Sequence, residues 1–316
     1  MSPRVESPSL QSLYAVLGRI WRIFGRTAAL FAAIGCGIIF RAGHALSFLI
    51  PYMIVVMLFF AFLDMPLGLR AFSRGVWVIL AANVTIAFAA YFLLRSANSD
   101  LALVAFLTAV TPTATAAPVL VSFLGGRVDY VVGSVVLTNG FMALMLPFVL
   151  PLLVGGGIVI SSWAVLRSVL VIVFLPLALA RLSRLLPGRV YSEICRRKRL
   201  SFYVWVFTLY LVTSKAATFV LEDVKVPGAF LLSIALSSLV ICAVSFAVGA
   251  LIGGKQFRRE ASQSLGQKNS SLTIWLALTF VSPMAALGPT FYVICHNLYN
   301  SFQLYLHDAN LNGIAT

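Results

Sequence analysis

Lys268 stands in Ser264-Leu265-Gly266-Gln267-Lys268-Asn269-Ser270-Ser271, a polar run inside an otherwise apolar stretch. Leu272 to Val281 is apolar, and Arg258 and Arg259 mark a charged boundary on the other side. Nine residues of helix from Arg259 put Lys268 roughly 14 Å beyond that boundary. A hydrocarbon core is about 30 Å thick, so this is near its midplane. An ammonium there costs ~2.5–3.5 kcal/mol even on the lenient insertion scale, which makes such residues functional candidates by default. The nine acidic residues, Glu6, Asp64, Asp100, Asp129, Glu193, Glu222, Asp223, Glu260 and Asp308, all fall away from mid-membrane depth. Lys268 therefore lacks an evident carboxylate partner, and an unpaired buried charge is costly. Three outcomes are open. It stays charged and draws an anion; its three N–H donors are satisfied by backbone carbonyls; or burial makes it titrate, which permits proton coupling. The bland alternative is snorkelling to water, which from the midplane requires a deep aqueous cavity.

A second polar interruption is Thr111-Pro112-Thr113-Ala114-Thr115-Ala116-Ala117-Pro118, within the apolar run Leu101 to Leu124. Pro112 and Pro118 each remove a helix hydrogen bond and clash with the preceding turn. Taken singly, such a break is often only a kink, and Ser/Thr often back-bond to their own helix. Thr113 and Thr115 are expected to line the first break, with helix capping as the alternative. Asn269, Ser270 and Ser271 are expected to line the second. His296, Asn297, Asn300 and Gln303 give the last apolar run a polar face, whose commoner role is helix–helix hydrogen bonding. Asn83 and Thr85 are candidates to face the core of the third run. Arg167 is expected to snorkel.

These residues must be held by membrane-spanning helices. The chain is 61% hydrophobic and 10% charged, which no soluble globular domain matches. Runs of spanning length fall at about 27–41, 46–63, 75–95, 100–124, 129–155, 160–183, 201–220, 228–253, 257–282 and 284–306. The first follows an Arg-bearing amphipathic segment, 1–26, without a small-residue cleavage site. With the N-terminus inside, only Arg41, Arg95, Lys215 and Lys225 fall outside; Arg167 and Lys268 lie within spans, and the other seventeen of the 23 Lys and Arg fall inside. That asymmetry supports ten spans with both ends cytoplasmic in a cell (inner) membrane. It also explains the net charge of +14 without nucleic acid, because the basic residues sit in loops between spans. Asp64-Met65-Pro66-Leu67-Gly68 reads as an inner turn. Cys36, Cys195, Cys242 and Cys295 are scattered, with neither metal-ligand nor disulfide spacing.

Gly155-Gly156-Gly157 divides the chain into two sets of five spans, 27–155 and 160–306, followed by a short tail, 307–316. Five is odd, so the second set is inverted relative to the first. The fourth span of each set is the broken one. Paired interruptions in inverted repeats mark the binding site of secondary transporters, with half-helix N-termini facing anions. A channel is possible, but two discontinuous helices suit alternating access better. An intramembrane enzyme would need a nucleophile, base or metal cluster, and no GxSxG or HExxH pattern occurs.

The chain resembles the bile acid:sodium symporter family. Thr111–Pro118 followed by Ser134-Val135-Val136-Leu137-Thr138 carries the likeness, with Gly266-Gln267-Lys268-Asn269-Ser270-Ser271-Leu272. Pro283-Met284-Ala285-Ala286-Leu287 and His296-Asn297-Leu298-Tyr299-Asn300-Ser301 extend it. The resemblance is best from about 100 to 306. It implies an all-α polytopic fold of two inverted five-helix repeats, with panel and core domains and broken helices four and nine crossing near the midplane. It also implies transport of an organic anion, such as a bile salt or smaller carboxylate, in the lipid bilayer. The substrate residues it points to are Thr113, Thr115, Lys268, Asn269, Ser270 and Asn297.

The family's sodium sites carry over only in part. Its usual Pro-Gly-Gly-Thr-Ala-Ser-Asn is here Pro112-Thr113-Ala114-Thr115-Ala116-Ala117-Pro118, so Ala117 and Pro118 replace a Ser-Asn ligand pair. Its usual Glu-x-Gly-x-Gln-Asn is here Ser264-Leu265-Gly266-Gln267-Lys268-Asn269, so the carboxylate becomes Ser264 and the glutamine ligand Lys268. Ser134, Thr138 and Asn269 still match. The expectation is that the Lys268 ammonium stands where sodium would sit, since bound Na⁺ beside it would be repelled. Transport would then be sodium-independent or proton-coupled; the rival is a sodium symporter with rebuilt sites. No organic cofactor or resident metal is implied. Substrate identity, direction and oligomeric state are not encoded in any motif.

Overall fold

The computed structural model describes Gly25 and residues 28–63, 73–154, 161–223 and 226–311. Among these, every regular element is helical. The first is α1 (Ala28–Ile39). A 3₁₀ segment, Arg41–Leu49, leads directly into α2 (Ile50–Leu63), followed by α3 (Arg74–Arg95), α4 (Ser99–Val110), α5 (Ala117–Phe123), α6 (Val128–Leu153) and α7 (Ser162–Leu182). Then come α8 (Gly188–Arg196), α9 (Leu200–Thr218), α10 (Gly228–Gly253), α11 (Arg258–Gly266), α12 (Ser270–Phe280) and α13 (Leu287–Leu311).

Six helical stretches are long and apolar enough to cross a membrane: Arg41–Leu63, Arg74–Arg95, Val128–Leu153, Ser162–Leu185, Leu200–Glu222 and Gly228–Gly253. Their outer faces keep large apolar side chains exposed, including Leu93, Leu152, Trp163 and Leu251. An apolar surface that extensive is tolerated in lipid and not in water. Helices suit that solvent because their backbone hydrogen bonds are internal.

The two interruptions have local causes. Asn98 caps α4 by accepting from the Leu101 N–H at 2.8 Å. The helix ends at Thr111, whose φ of −47° and ψ of 128° are those a residue before proline is pushed towards. Pro118 is then accommodated in the first turn of α5, where its missing N–H is not needed. In the other half, α11 ends at Gly266, and Gln267 is extended. A Cβ at Gly266 would stand 2.3 Å from the Phe246 ring, so α11 lies too close to α10 for any other residue.

The helices around the two interruptions pack in pairs. α3 lies on α4 as α10 lies on α11, and α5 lies on α6 as α12 lies on α13. Contacts of α10 with α3 and α4, and of α11 with α6, tie these helices together. A second set, α2 with α7 and α9, is joined to the first chiefly along α6 and α7.

Several sequence expectations need correction. Residues 42–45, expected as an outer loop, belong to the 3₁₀ segment. Tyr210 and Ser214 of α9 donate to the Phe40 and Arg41 carbonyls and hold that backbone in place. The basic stretch 184–199, expected as a loop, contains α8. Its Tyr191 and Ile194 pack on the core while Glu193 pairs with Arg196 and Arg197 on the solvent side. The last helix runs to Leu311, past the expected tail boundary. The segment 1–24, the turn Asp64–Gly68 and the Gly155-Gly156-Gly157 divide lie outside the described residues.

Candidate functional site

The two interruptions meet. Thr113 and Lys268 form an isolated antiparallel β-bridge. The Ala114 N–H donates to the Gln267 carbonyl at 2.7 Å, and the Asn269 N–H donates to the Pro112 carbonyl at 2.8 Å. Unwound backbone survives in an apolar interior only when its polar groups find such partners. The bridge brings four half-helix ends to one place: the carbonyl ends of α4 and α11 and the N–H ends of α5 and α12.

Lys268 is 3% exposed. Its Nζ donates to the Ala109 carbonyl at 2.8 Å and to Asn83 Oδ1. The Asn83 amide in turn donates to the Val110 carbonyl at 3.1 Å and the Thr111 carbonyl at 3.4 Å. The ammonium thus lies at the C-terminal end of α4, where the last carbonyls have no intrahelical donor and the dipole is negative. Among the described residues no acidic side chain takes part. Of the outcomes open at the sequence level, this is satisfaction by carbonyls, helped by one amide from α3.

The carbonyl end of α11 is capped from across in the same way. Thr113 Oγ1 donates to the Ser264 carbonyl at 2.6 Å, and Tyr292 Oη donates to the Gly266 carbonyl at 2.7 Å. Asn139 of α6 links the two breaks: its amide donates to the Thr113 carbonyl at 2.9 Å, and its oxygen accepts from Asn269 Nδ2 at 3.2 Å. The Thr111 hydroxyl donates to the Leu107 carbonyl at 2.8 Å and is hydrogen-bonded to the Thr273 hydroxyl, 3.0 Å away. The outer ends are tied too. Arg259 donates to the Leu124 carbonyl just past α5 at 2.7 Å, and Glu260 accepts from the Arg127 N–H at 2.7 Å.

Of the residues singled out in the sequence, Thr113, Lys268 and Asn269 come together at the bridge. Thr138 joins them, its hydroxyl accepting from the Thr113 N–H at 3.0 Å and donating to the Ser134 carbonyl. Ser134 spends its own proton on the Tyr130 carbonyl of the same helix. Ser264 Oγ, Ser270 Oγ and Gln267 Oε1 are buried with no partner. Buried hydroxyl and amide oxygens without a protein partner are uncommon. Thr115 is half-buried, beside the break.

Asn297 is not brought to the bridge. It donates to the Val293 carbonyl of its own helix and lines a small cleft against Leu30 and Ile34 of α1. The rest of the α13 polar face divides: Asn300 and Gln303 accept from Gln263 of α11, whereas His296 Nδ1 is buried without a partner. Thr85 lies on the exposed face of α3, two residues from the buried Asn83. Arg167 is exposed, as expected of a snorkelling side chain.

Asn139 and Tyr292 were not singled out. Asn139 had a signal, since it follows Thr138 inside an apolar span. Tyr292 had none, because a tyrosine in an apolar helix reads as packing until its hydroxyl is seen on a carbonyl. Among the described residues no cluster of His, Cys, Asp or Glu could hold a metal ion. Neither a family model nor a curated protein sequence matches this chain.

Proposed function

We propose that this chain is a secondary-active transporter of a small organic anion in which the Lys268 ammonium does the work of a coupled cation. In this reading the molecule has ten transmembrane helices in two inverted five-helix repeats, α4/α5 and α11/α12 being the broken fourth and ninth. The set α3–α6 with α10–α13 is the core domain, α1, α2, α7 and α9 are the panel, and the two move against each other. Both termini are cytoplasmic, in a cell (inner) membrane. The antiparallel bridge is what inverted repeats require, since the fourth and ninth spans then run in opposite directions.

The observation that carries the reading is the Lys268 ammonium on the carbonyl end of α4. In transporters with broken helices, half-helix carbonyl ends hold the coupling cation and half-helix N-termini face the anionic substrate. Lys268 occupies the first kind of position with a tethered charge. A sodium ion beside it would meet repulsion, not a carboxylate. The N–H end of α12, with the orphaned Ser270 hydroxyl and the nearby Thr113, Thr115 and Asn269, is the place for the substrate's carboxylate. The bonded state of Lys268 thus favours cation replacement over direct pairing with substrate.

Sodium symport is the second reading, and the unpartnered Ser264 Oγ favours it as a remaining free oxygen. Ser134 and Thr138 are already engaged with backbone groups. Uptake of labelled small carboxylates and bile salts into proteoliposomes separates the readings. The expected result is anion uptake that an imposed sodium gradient does not accelerate, with or without acceleration by a proton gradient. Sodium-driven accumulation would overturn the cation-replacement account, and no uptake of any anion would overturn the transporter.

A further inference from the structure

A groove of about 600 Å³ opens on the outside of the bundle between α10 and α13. Leu239, Ala243, Ala247 and Ala250 form one wall, spaced four, four and three residues apart on a single face of α10. Tyr299 and Gln303 of α13 form the other. The small alanines keep the wall low, and Ala243 and Ala247 remain exposed. At the Ala250 end the chain turns into α11 and sets Arg258 and Arg259 at the groove's mouth. Lys255 in that turn is exposed as well.

Charge and length point to one kind of occupant. Among the described residues no acidic side chain lines the groove. The nearest acid in sequence, Glu260, is buried and turned to the Arg127 N–H. Arg259 has one nitrogen committed to the Leu124 carbonyl, while Arg258 is exposed. Leu239 to Ala250 is eleven residue steps along the helix, roughly 17 Å. One leaflet's hydrocarbon is half of about 30 Å. A cationic mouth and an apolar trough one leaflet long fit a phosphate with an acyl chain attached, and basic pockets between membrane helices are where such headgroups bind.

We propose that the α10–α13 groove binds one anionic phospholipid, its phosphate on Arg258 and Arg259 and an acyl chain along Ala247 and Ala243. This rests on the chain's lying in a bilayer and not on the transport reading. Because α10 also packs on α11, the lipid would brace the helix that carries the polar run before Lys268.

The test is native mass spectrometry of the purified protein with phosphatidylglycerol and phosphatidylcholine at equal mole fraction, on wild type, Arg258→Gln, Ala247→Phe and, as a distant basic control, Arg189→Gln. The expected result is one retained phosphatidylglycerol in preference to phosphatidylcholine. Arg258→Gln should weaken it about fivefold, the attraction of one juxtamembrane charge to an anionic surface. Ala247→Phe should displace it by filling the trough, and Arg189→Gln should leave it unchanged. Equal retention of both lipids overturns the proposal, as does equal loss in Arg258→Gln and Arg189→Gln. So does competition by free glycerol 3-phosphate as effective as the lipid's, which would make the acyl trough irrelevant. Thermal transitions in phosphatidylcholine alone check that each variant is folded.

Discussion

Replacing Lys268 by methionine removes the ammonium while keeping a side chain of similar reach. Two acceptors then lose their donor, the Ala109 carbonyl and Asn83 Oδ1. Each buried acceptor left unpaired costs about 1–3 kcal/mol, so the loss is ~2–6 kcal/mol. Removing a mid-membrane ammonium returns ~2.5–3.5 kcal/mol on the lenient scale. The two terms nearly cancel, so the single variant could shift stability slightly either way and decides little. Asn83→Leu has a definite sign. It leaves the ammonium with the Ala109 carbonyl alone and strips the amide from the Val110 and Thr111 carbonyls. Losing a hydrogen bond to a buried charge costs about 1.5–3 kcal/mol, and the stranded carbonyls add to it. The quantity that discriminates is the coupling. With both residues apolar, no charge remains for Asn83 to satisfy, so the double variant should be less damaged than the sum. Contacting residues in one network give interaction energies of about 0.5–3 kcal/mol; a hydrogen bond to a charge puts this pair near ~1.5–3 kcal/mol. Equilibrium unfolding of the four proteins in mixed micelles measures it. Additivity within ~0.5 kcal/mol would refute the Lys268–Asn83 pairing.

Other outcomes follow from the same crossing. Gly266→Ala should lose about 1–3 kcal/mol, because its Cβ would meet the Phe246 ring at 2.3 Å and α11 must then move off α10; an unchanged melting temperature would contradict that close packing. Tyr292→Phe should cost ~1–3 kcal/mol by stranding the Gly266 carbonyl, read by unfolding in micelles. Thr138→Val should cost a similar ~1–3 kcal/mol by stranding the Thr113 N–H, with Thr138→Ser largely restoring stability. Lys268→Ala should weaken anion binding by loosening the bridge that positions the α12 N-terminus; unchanged affinity by isothermal titration would remove Lys268 from the site.

What could be read from the sequence was what local rules govern. Pro112 ends α4 and Pro118 opens α5 by sterics that act within a turn, and the polar run 264–271 breaks the apolar pattern around it, so both interruptions were legible. The distance of Lys268 from Arg258 and Arg259 was legible because α11 is helical from Arg258 to Gly266, and residue counting along a helix is a ruler. The partners were not legible. Asn83 lies 185 residues from Lys268, and nothing in its own helix distinguishes it from Thr85 except which face the fold buries. Asn297 failed for the opposite reason: it is four residues from Val293, and its amide is satisfied within its own helix. The helix α8 was hidden inside the basic stretch 181–199, while Tyr191 and Ile194 rest part-buried against the core.

The central claim is that a tethered ammonium stands where a bound cation would otherwise be needed. Thermal stability of the purified protein in sodium chloride against choline chloride, for wild type and Lys268→Gln, tests it most directly, because a ligand that binds the native state raises its apparent stability. The account predicts a wild type indifferent to sodium and a Lys268→Gln variant that sodium stabilises. Clear stabilisation of the wild type by sodium would contradict it.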